Sequence, residues 1–415
     1  MSPGEPSLLS RSPAEGGSLA EALVRGDADA RGLLPGSRVA PRGAAGDPGD
    51  LPPLARDGGL PPATIRAAGP GARERAEAAL AGEGVFVTTG QQPLLLGGPL
   101  YVLYKALTAL AEAEGLTRAG TPAVALFWVA GDDHDWAEVG RTRILDVENR
   151  LREVRLEPEP ERAGRAVGPS PLPGRVEDRI EEMAQALPDS EFVGDYLEVL
   201  RDAWTPGRSF SEAFGRTLEG WLEGRPLAWL DASSPAVRRA EAPLFRRVLE
   251  DPETVEERLD RGAELVRSAG WRPQVRREPG ALPLFVDTSE GRRRVYRAGG
   301  SFRLGRDGET VERDALLEEL EGAPARFSPD VSLRPVVSCR LLPTGVTVLG
   351  PSEMAYWAQL PGLFDWAGVP FPRLRLRHGW TVLEDKIGKF LENLGAGPEN
   401  FGDGGEALAD RVREE

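Results

Sequence analysis

Cysteine and histidine are almost absent: the 415 residues contain one cysteine, Cys339, and two histidines, His134 and His378. A single cysteine excludes an internal disulfide and any cysteine-based zinc cage, which agrees with a reducing compartment. Long apolar runs are also missing. No stretch approaches the ~20 uninterrupted apolar residues of a membrane helix, and no basic-then-apolar segment opens the chain. The expected location is therefore the cytoplasm, with no membrane partner. Positive charge is in deficit, since 51 Lys plus Arg against 66 Asp plus Glu give a net charge of -15. That sign opposes wrapping by nucleic acid, so no nucleic-acid partner is expected.

Glycine and proline are plentiful, at 50 and 37 residues, and arginine greatly outnumbers lysine. This is the signature of a GC-rich genome writing permissive codons onto loops, and no function follows from it. The length supports two or three domains and a large buried core.

The first 70 or so residues are rich in Gly, Pro and Ala with weak periodicity, which predicts loops and short helices. From Val85 the pattern sharpens. Val85-Phe86-Val87-Thr88 is a short β-rich run; Leu100, Leu103, Leu107 and Leu110 then recur at helical spacing, and residues 123–130 (AVALFWVA) form a second buried strand. Strand, helix and strand at this spacing make a right-handed βαβ unit with parallel strands. Both strand ends then share one sheet edge, where open α/β sheets bind ligands, so the turn at 89–92 and the cluster at 131–135 are expected to face one crevice.

Residues 150–185 are charged and Pro-rich and read as an insertion or linker, while 186–270 read as mainly helical, with Trp204, Phe210, Phe214, Leu218 and Trp221 at helical spacing. Phe285-Val286-Asp287 and Arg294-Val295-Tyr296-Arg297 suggest a small β-rich excursion. Val346-Thr347-Val348-Leu349 reads as another core strand, followed by a helix from Ser352 to about Trp366. The expected division is 1–80 irregular or helical, 81–150 first part of the core, 151–330 insertions, 331–380 second part of the core, and 381–415 a helical region.

Three segments carry chemistry. Gly90-Gln91-Gln92, between strand and helix, offers backbone N–H groups to an anion, although no Walker or GxGxxG pattern is present. Asp132-Asp133-His134-Asp135 sets three carboxylates around one imidazole; neighbouring anions favour a protonated His134 able to stabilise phosphate charge or act as a general acid. The same acids suit Mg2+ beside a nucleotide, and helix capping accounts for two of them. Glu353, at the start of the later helix, can contact an amine or a ribose hydroxyl, with Tyr356 and Trp357 walling the pocket. Arg334, expected just before a strand, can pair with a substrate carboxylate, as can Arg373, Arg375 and Arg377. His378 and Cys339 read as structural.

The blocks TTGQQPLLLGGPLYVLYKA (88–106), FWVAGDDHDWAEV (127–139) and LRPVVSCRLLPTGVTVLGPSEMAYWAQL (333–360) resemble the bacillithiol biosynthesis cysteine-adding enzymes, the cysteine ligase family, and the likeness spans roughly 80–395. It implies a Rossmann-like parallel-sheet α/β core interrupted by connecting-peptide insertions, then a helical coiled coil that pairs subunits into a homodimer. It also implies amide formation between cysteine and glucosaminyl-malate, with ATP or another nucleotide activating the carboxylate and Mg2+ as a possible companion. On that analogy His134, Asp133 and Asp135 are catalytic. Gly90, Gln91, Gln92 and Asp132 hold the cofactor, and Glu353, Tyr356, Arg334 and Lys105 bind substrate. No resident metal is expected.

Ser338-Cys339 departs from the polar amide or acidic residues more usual in that stretch of the family. At the C-terminus Leu383, Ile387, Phe390, Leu391 and Leu394 begin an amphipathic helix that Gly395-Ala396-Gly397-Pro398 breaks. Most of the coiled coil is missing before Glu415, so a truncated chain is expected and a dimer through that arm is not assumed. Two other readings stay open: a nucleotide-sugar glycosyltransferase using Asp133 and Asp135 as a metal site, and a non-catalytic member that binds a nucleotide or thiol.

Overall fold

Seven consecutive buried residues, Ala123–Val129, form the middle strand of the fold, and their side chains alternate between two apolar layers. Ala123, Ala125, Phe127 and Val129 enter one layer, and Val124, Leu126 and Trp128 enter the other. A strand buried on both faces belongs to a parallel sheet covered by helices on each side, each large side chain contributing roughly 1.5–3 kcal/mol through burial. The computed structural model describes residues 8–10, 17–35, 39–40, 51–54, 59–162, 164–383, 385–397 and 413.

The central sheet has six strands: β1 (Arg66–Ala68), β2 (Val85–Gln91), β3 (Ala123–Val129), β4 (Leu227–Asp231), β5 (Thr344–Leu349) and β6 (Arg373–Leu376). Their spatial order is β6-β5-β2-β3-β4-β1. All neighbours run parallel except the edge pair β1 and β4. Helix α1 (Tyr101–Arg118) covers one face with Val102, Ala106 and Ala109. Helices α2 (Pro235–Glu250) and α3 (Leu333–Leu341) cover the other through Val237, Leu244, Val336 and Val337. This is the α/β, parallel-sheet class that the sequence led one to expect.

From β2 the chain steps outward through β3 to β4, then returns to lay β5 on the opposite flank of β2. The order reverses between β2 and β5, and in open α/β sheets the ligand crevice opens at the carboxyl ends beside that reversal. Helix α4 (Pro351–Trp357) starts directly beyond β5, so its first turn enters the crevice. Pro361 ends the helical run expected to reach Trp366, because it begins a separate helix, α5 (Pro361–Ala367).

Other expectations are corrected. Residues 89–92 are not a free turn: Gly90 and Gln91 continue β2, in register with Trp128 and Val129 of β3. Gly90 is required there, since a Cβ would sit 2.9 Å from the Trp128 carbonyl oxygen. Arg334 lies in α3 rather than before a strand, because Asp330 Oδ1 accepts the Ser332 and Leu333 N–H groups and starts the helix. The stretch 186–270 is interrupted by the core strand β4, and Trp204 closes one helix (Val193–Ala203) while Phe210 opens the next (Phe210–Trp221). The range 151–330 thus supplies a core strand as well as insertions.

The β-rich excursion is a five-stranded antiparallel sheet, with Ala281–Thr288 and Gly291–Ala298 as its central hairpin. The N-terminal range contributes the helix Gly17–Arg25 and the edge strand β1. At the far end Asp385–Asn393 is helical, with Ile387 and Phe390 exposed; 398–412 lie outside the described residues. Among the described residues no helix is long and apolar enough to cross a membrane.

Candidate functional site

A cavity of about 530 Å³ lies at the sheet's reversal point. Its floor is the end of β2 and β5, through Thr88, Thr89 and Thr347; its walls come from α1, α3 and α4. Thr88 and Thr347 hydroxyls meet at 3.0 Å, and Thr89 Oγ1 donates to the Val348 carbonyl at 3.0 Å, closing the seam between the two strands. Gly90, Gln91, Gln92, Lys105, Arg334, Glu353 and Tyr356 line this space, together with Tyr101, Trp128, Glu138 and Arg377. A larger cavity of about 1010 Å³ adjoins it and shares Val331, Ser352 and Tyr356 as walls.

Lys105 is buried and saturated. Its Nζ donates to the Gly90 carbonyl and to Gln91 Oε1, each at 2.8 Å, and pairs with Glu353 Oε2 at 2.6 Å. Glu353 sits in the first turn of α4, and the same Oε2 accepts the Gly350 N–H at 2.6 Å. One ammonium therefore ties α1, the end of β2 and the start of α4 into a single rigid corner.

The strand-end cluster divides into separate tasks. Asp132 is buried beneath three guanidiniums: its Oδ2 lies 3.2 Å from Arg334 Nη2, 3.7 Å from Arg292 Nη2 and 3.8 Å from Arg238 Nη2. Burial alone raises a carboxyl group's pKa, but the three arginines outweigh it and hold Asp132 below the usual carboxylate range. Asp132 faces these arginines and does not line the cavity. Behind it Arg238 Nη1 pairs with Glu241 Oε2 at 2.8 Å, and burial pushes the Glu241 carboxyl up to about 7.

Asp133 Oδ1 accepts the backbone N–H groups of His134 and Asp135, and its Oδ2 accepts Gln92 Nε2 at 3.2 Å. Desolvation opposes its ionisation, yet the contact with His134 and the charges of Arg334 and Arg292 hold it well below the usual range. His134 is part-exposed, with Nδ1 3.6 Å from Asp133 Oδ1, outside the residues that line the cavity. Asp135 caps a short helical turn, Oδ1 accepting the Glu138 N–H at 3.1 Å. Gln92 Nε2 also reaches Glu138 Oε2 at 3.0 Å, so Gln92 joins Asp133 to the cavity rim, as Arg334 joins Asp132 to it.

Asp133 spends both carboxylate oxygens on hydrogen bonds, and Asp135 spends one on its helix cap. Among the described residues no group of three or more His, Cys, Asp or Glu side chains could hold a metal ion. Arg375 of β6 pairs with the buried Glu112 at 2.7 Å, and Arg373 approaches it at 4.0 Å, so both serve the core. Cys339 is buried, which pushes its thiol up to about 12 and leaves it inert as a nucleophile. Sequence reasoning missed Arg238, Arg292 and Glu241, which carry no local signal. It also missed Trp128 as a cavity wall, although strict alternation along β3 puts that side chain opposite Phe127 and Val129.

The family model described as bacillithiol biosynthesis BshC, N-terminal Rossmann-like domain, matches residues 70–378. The chain is 34% identical to the protein named "Putative cysteine ligase BshC" from Salinibacter ruber over 79% of its own length and 59% of the relative's. The corresponding figures are 34%, 75% and 58% for the relative of that name from Symbiobacterium thermophilum. For the one from Bacillus cereus they are 30%, 76% and 59%. The chain thus spans a little under three fifths of the length of these relatives.

Proposed function

This chain belongs to the bacillithiol biosynthesis BshC family, and from that premise we propose that it forms an amide between L-cysteine and the amine of glucosaminyl-malate. The observation that carries the reading is the cavity itself: the family match covers β2, α1, α3, β5 and α4, which are the elements that wall it. A carboxylate does not react with an amine at neutral pH until one oxygen becomes a leaving group, so ATP or another nucleoside triphosphate is the proposed cosubstrate, with Mg2+ accompanying its phosphates. It would supply the activating phosphoryl or adenylyl group.

The lining fits such a polyanion in part. Gln91 and Arg377 are the donors proposed to hold anionic oxygens, while Gln92, whose amide is spent on Asp133 and Glu138, is proposed to position the rim beside the Gly90 backbone. Asp132 contributes at one remove, by fixing Arg334. His134, backed by Asp133, is proposed to stabilise charge at the rim, and Asp135 to fix the turn that carries them. The amine lone pair attacks the activated carbonyl carbon, the leaving group departs with the C–O electron pair, and the nitrogen loses a proton to a carboxylate. Glu138 is the lining carboxylate proposed to take it.

Incubating the purified protein with glucosaminyl-malate, cysteine and ATP tests the reading by mass spectrometry. The expected product has the summed mass of both substrates less one water, with stoichiometric AMP or ADP. Absence of that product from this chain, and from a version extended to the length of its relatives, overturns the assignment. A cytoplasmic location belongs to the same proposal, since cysteine and the triphosphate are cytoplasmic reagents.

A further inference from the structure

The cavity holds one cation and one anion that are each fixed from behind and left open in front. Arg334 commits Nη2 to Asp132 at 3.2 Å, while its Nη1 has no partner among the described residues. Arg238 and Arg292 crowd the same aspartate, so three guanidiniums are set against Asp132 and Asp133. Arg238 is also answered by Glu241, so the guanidinium left to a ligand is that of Arg334, and a preorganised guanidinium with an open edge selects a carboxylate or phosphate oxygen.

Glu353 presents the opposite case. Its Oε2 accepts both the Gly350 N–H and the Lys105 ammonium, and its Oε1 has no partner among the described residues. Anchoring one oxygen twice fixes the rotamer and aims the other, which suits an ammonium donor. Arg334, Glu353 and Tyr356 line the same cavity.

We propose that Arg334 and Glu353 form an α-amino-acid subsite, Arg334 Nη1 binding the carboxylate and Glu353 Oε1 binding the ammonium of a small free amino acid. The assignment deepens the ligase reading and rests on it only for the identity of the side chain, cysteine. At about 530 Å³ the cavity accepts such a molecule and leaves room for the partner that reacts with it. Lys105, although in the cavity, then acts as a positioning residue for Glu353, because its three donors are already spent.

Calorimetric titration of the whole chain with L-cysteine, cysteamine (no carboxylate) and 3-mercaptopropionate (no amine) tests this without any turnover. Each analogue is expected to bind about 10–100-fold more weakly than cysteine, the loss of one charge-assisted hydrogen bond. Arg334→Met is expected to weaken cysteine by a similar factor while leaving cysteamine unchanged, and Glu353→Gln to weaken cysteine while leaving 3-mercaptopropionate unchanged. Thermal melts establish that each variant is folded, and the ligand series on the unmodified chain decides the question if either is not.

Analogues that bind as tightly as cysteine overturn the subsite, and so does an absence of cysteine binding at millimolar concentration with ATP present. The two readings fail separately. Cysteine recognition with the expected pattern but no amide product sinks only the ligase reading, whereas product formation with cysteine affinity untouched by both substitutions sinks only this subsite.

Discussion

Asp132 and Asp135 stand three residues apart in one acidic motif and do unrelated work. Asp132 neutralises a buried arginine cluster, and removing one member of such a cluster leaves uncompensated charge away from water. Asp135 accepts one backbone N–H at a part-exposed helix start. Asp132→Asn is therefore expected to cost about 3–5 kcal/mol of stability, and Asp135→Ala about 1 kcal/mol, both measured by urea denaturation. Equal losses would mean that the arginines find another counter-charge. The motif was legible in the sequence, but this division was not, because Arg238, Arg292 and Arg334 reach Asp132 from three distant segments.

At the scale of elements, Lys105 is the joint between α1, β2 and α4. Lys105→Met leaves Glu353 Oε2 with a single donor, and about 2 kcal/mol of stability is expected to go with it. Glu353→Gln in the same background should recover part of that loss, since the carboxylate no longer needs a cation. A double-mutant cycle by urea denaturation measures the coupling, and a value near zero would show that the pair is incidental. The βαβ unit of β2, α1 and β3 was readable because periods of 2 and 3.6 run through it without interruption. Strand β4 was not: five residues between two long helices give too short a pattern to compete with the helical signal around them. The neighbour relation of β5 and β2 leaves no trace in spacing either, so the expected crevice lay toward β3 while the cavity opens toward β5.

For the molecule as a whole, Glu241 links stability to pH. Its carboxyl is raised from 4.5 to about 7 by burial, with Asp132 adding to the shift and Arg238 opposing it. The folded state therefore keeps a proton that the unfolded chain releases, and this group's contribution declines as pH rises from about 4.5 to about 7, then levels. Glu241→Gln cannot ionise. Its melting temperature relative to the parent is expected to be higher at pH 8 than at pH 5, and the opposite order would place the ionised form in the native state. The acidic surface, at a net charge of -15, adds a diffuse repulsion that both forms share.

The seam that closes the cavity joins Thr88 to Thr347, residues 259 positions apart. During synthesis β2, β3 and β4 emerge first and can assemble, but the flank of β2 that receives β5 stays uncovered until the ribosome has added more than a hundred further residues. An unpaired inner strand edge is a template for pairing with the wrong chain. Pairing so distant also makes the closing step slow. The nascent protein thus passes through an interval in which its central sheet is half built and its inner edge is open to mispairing.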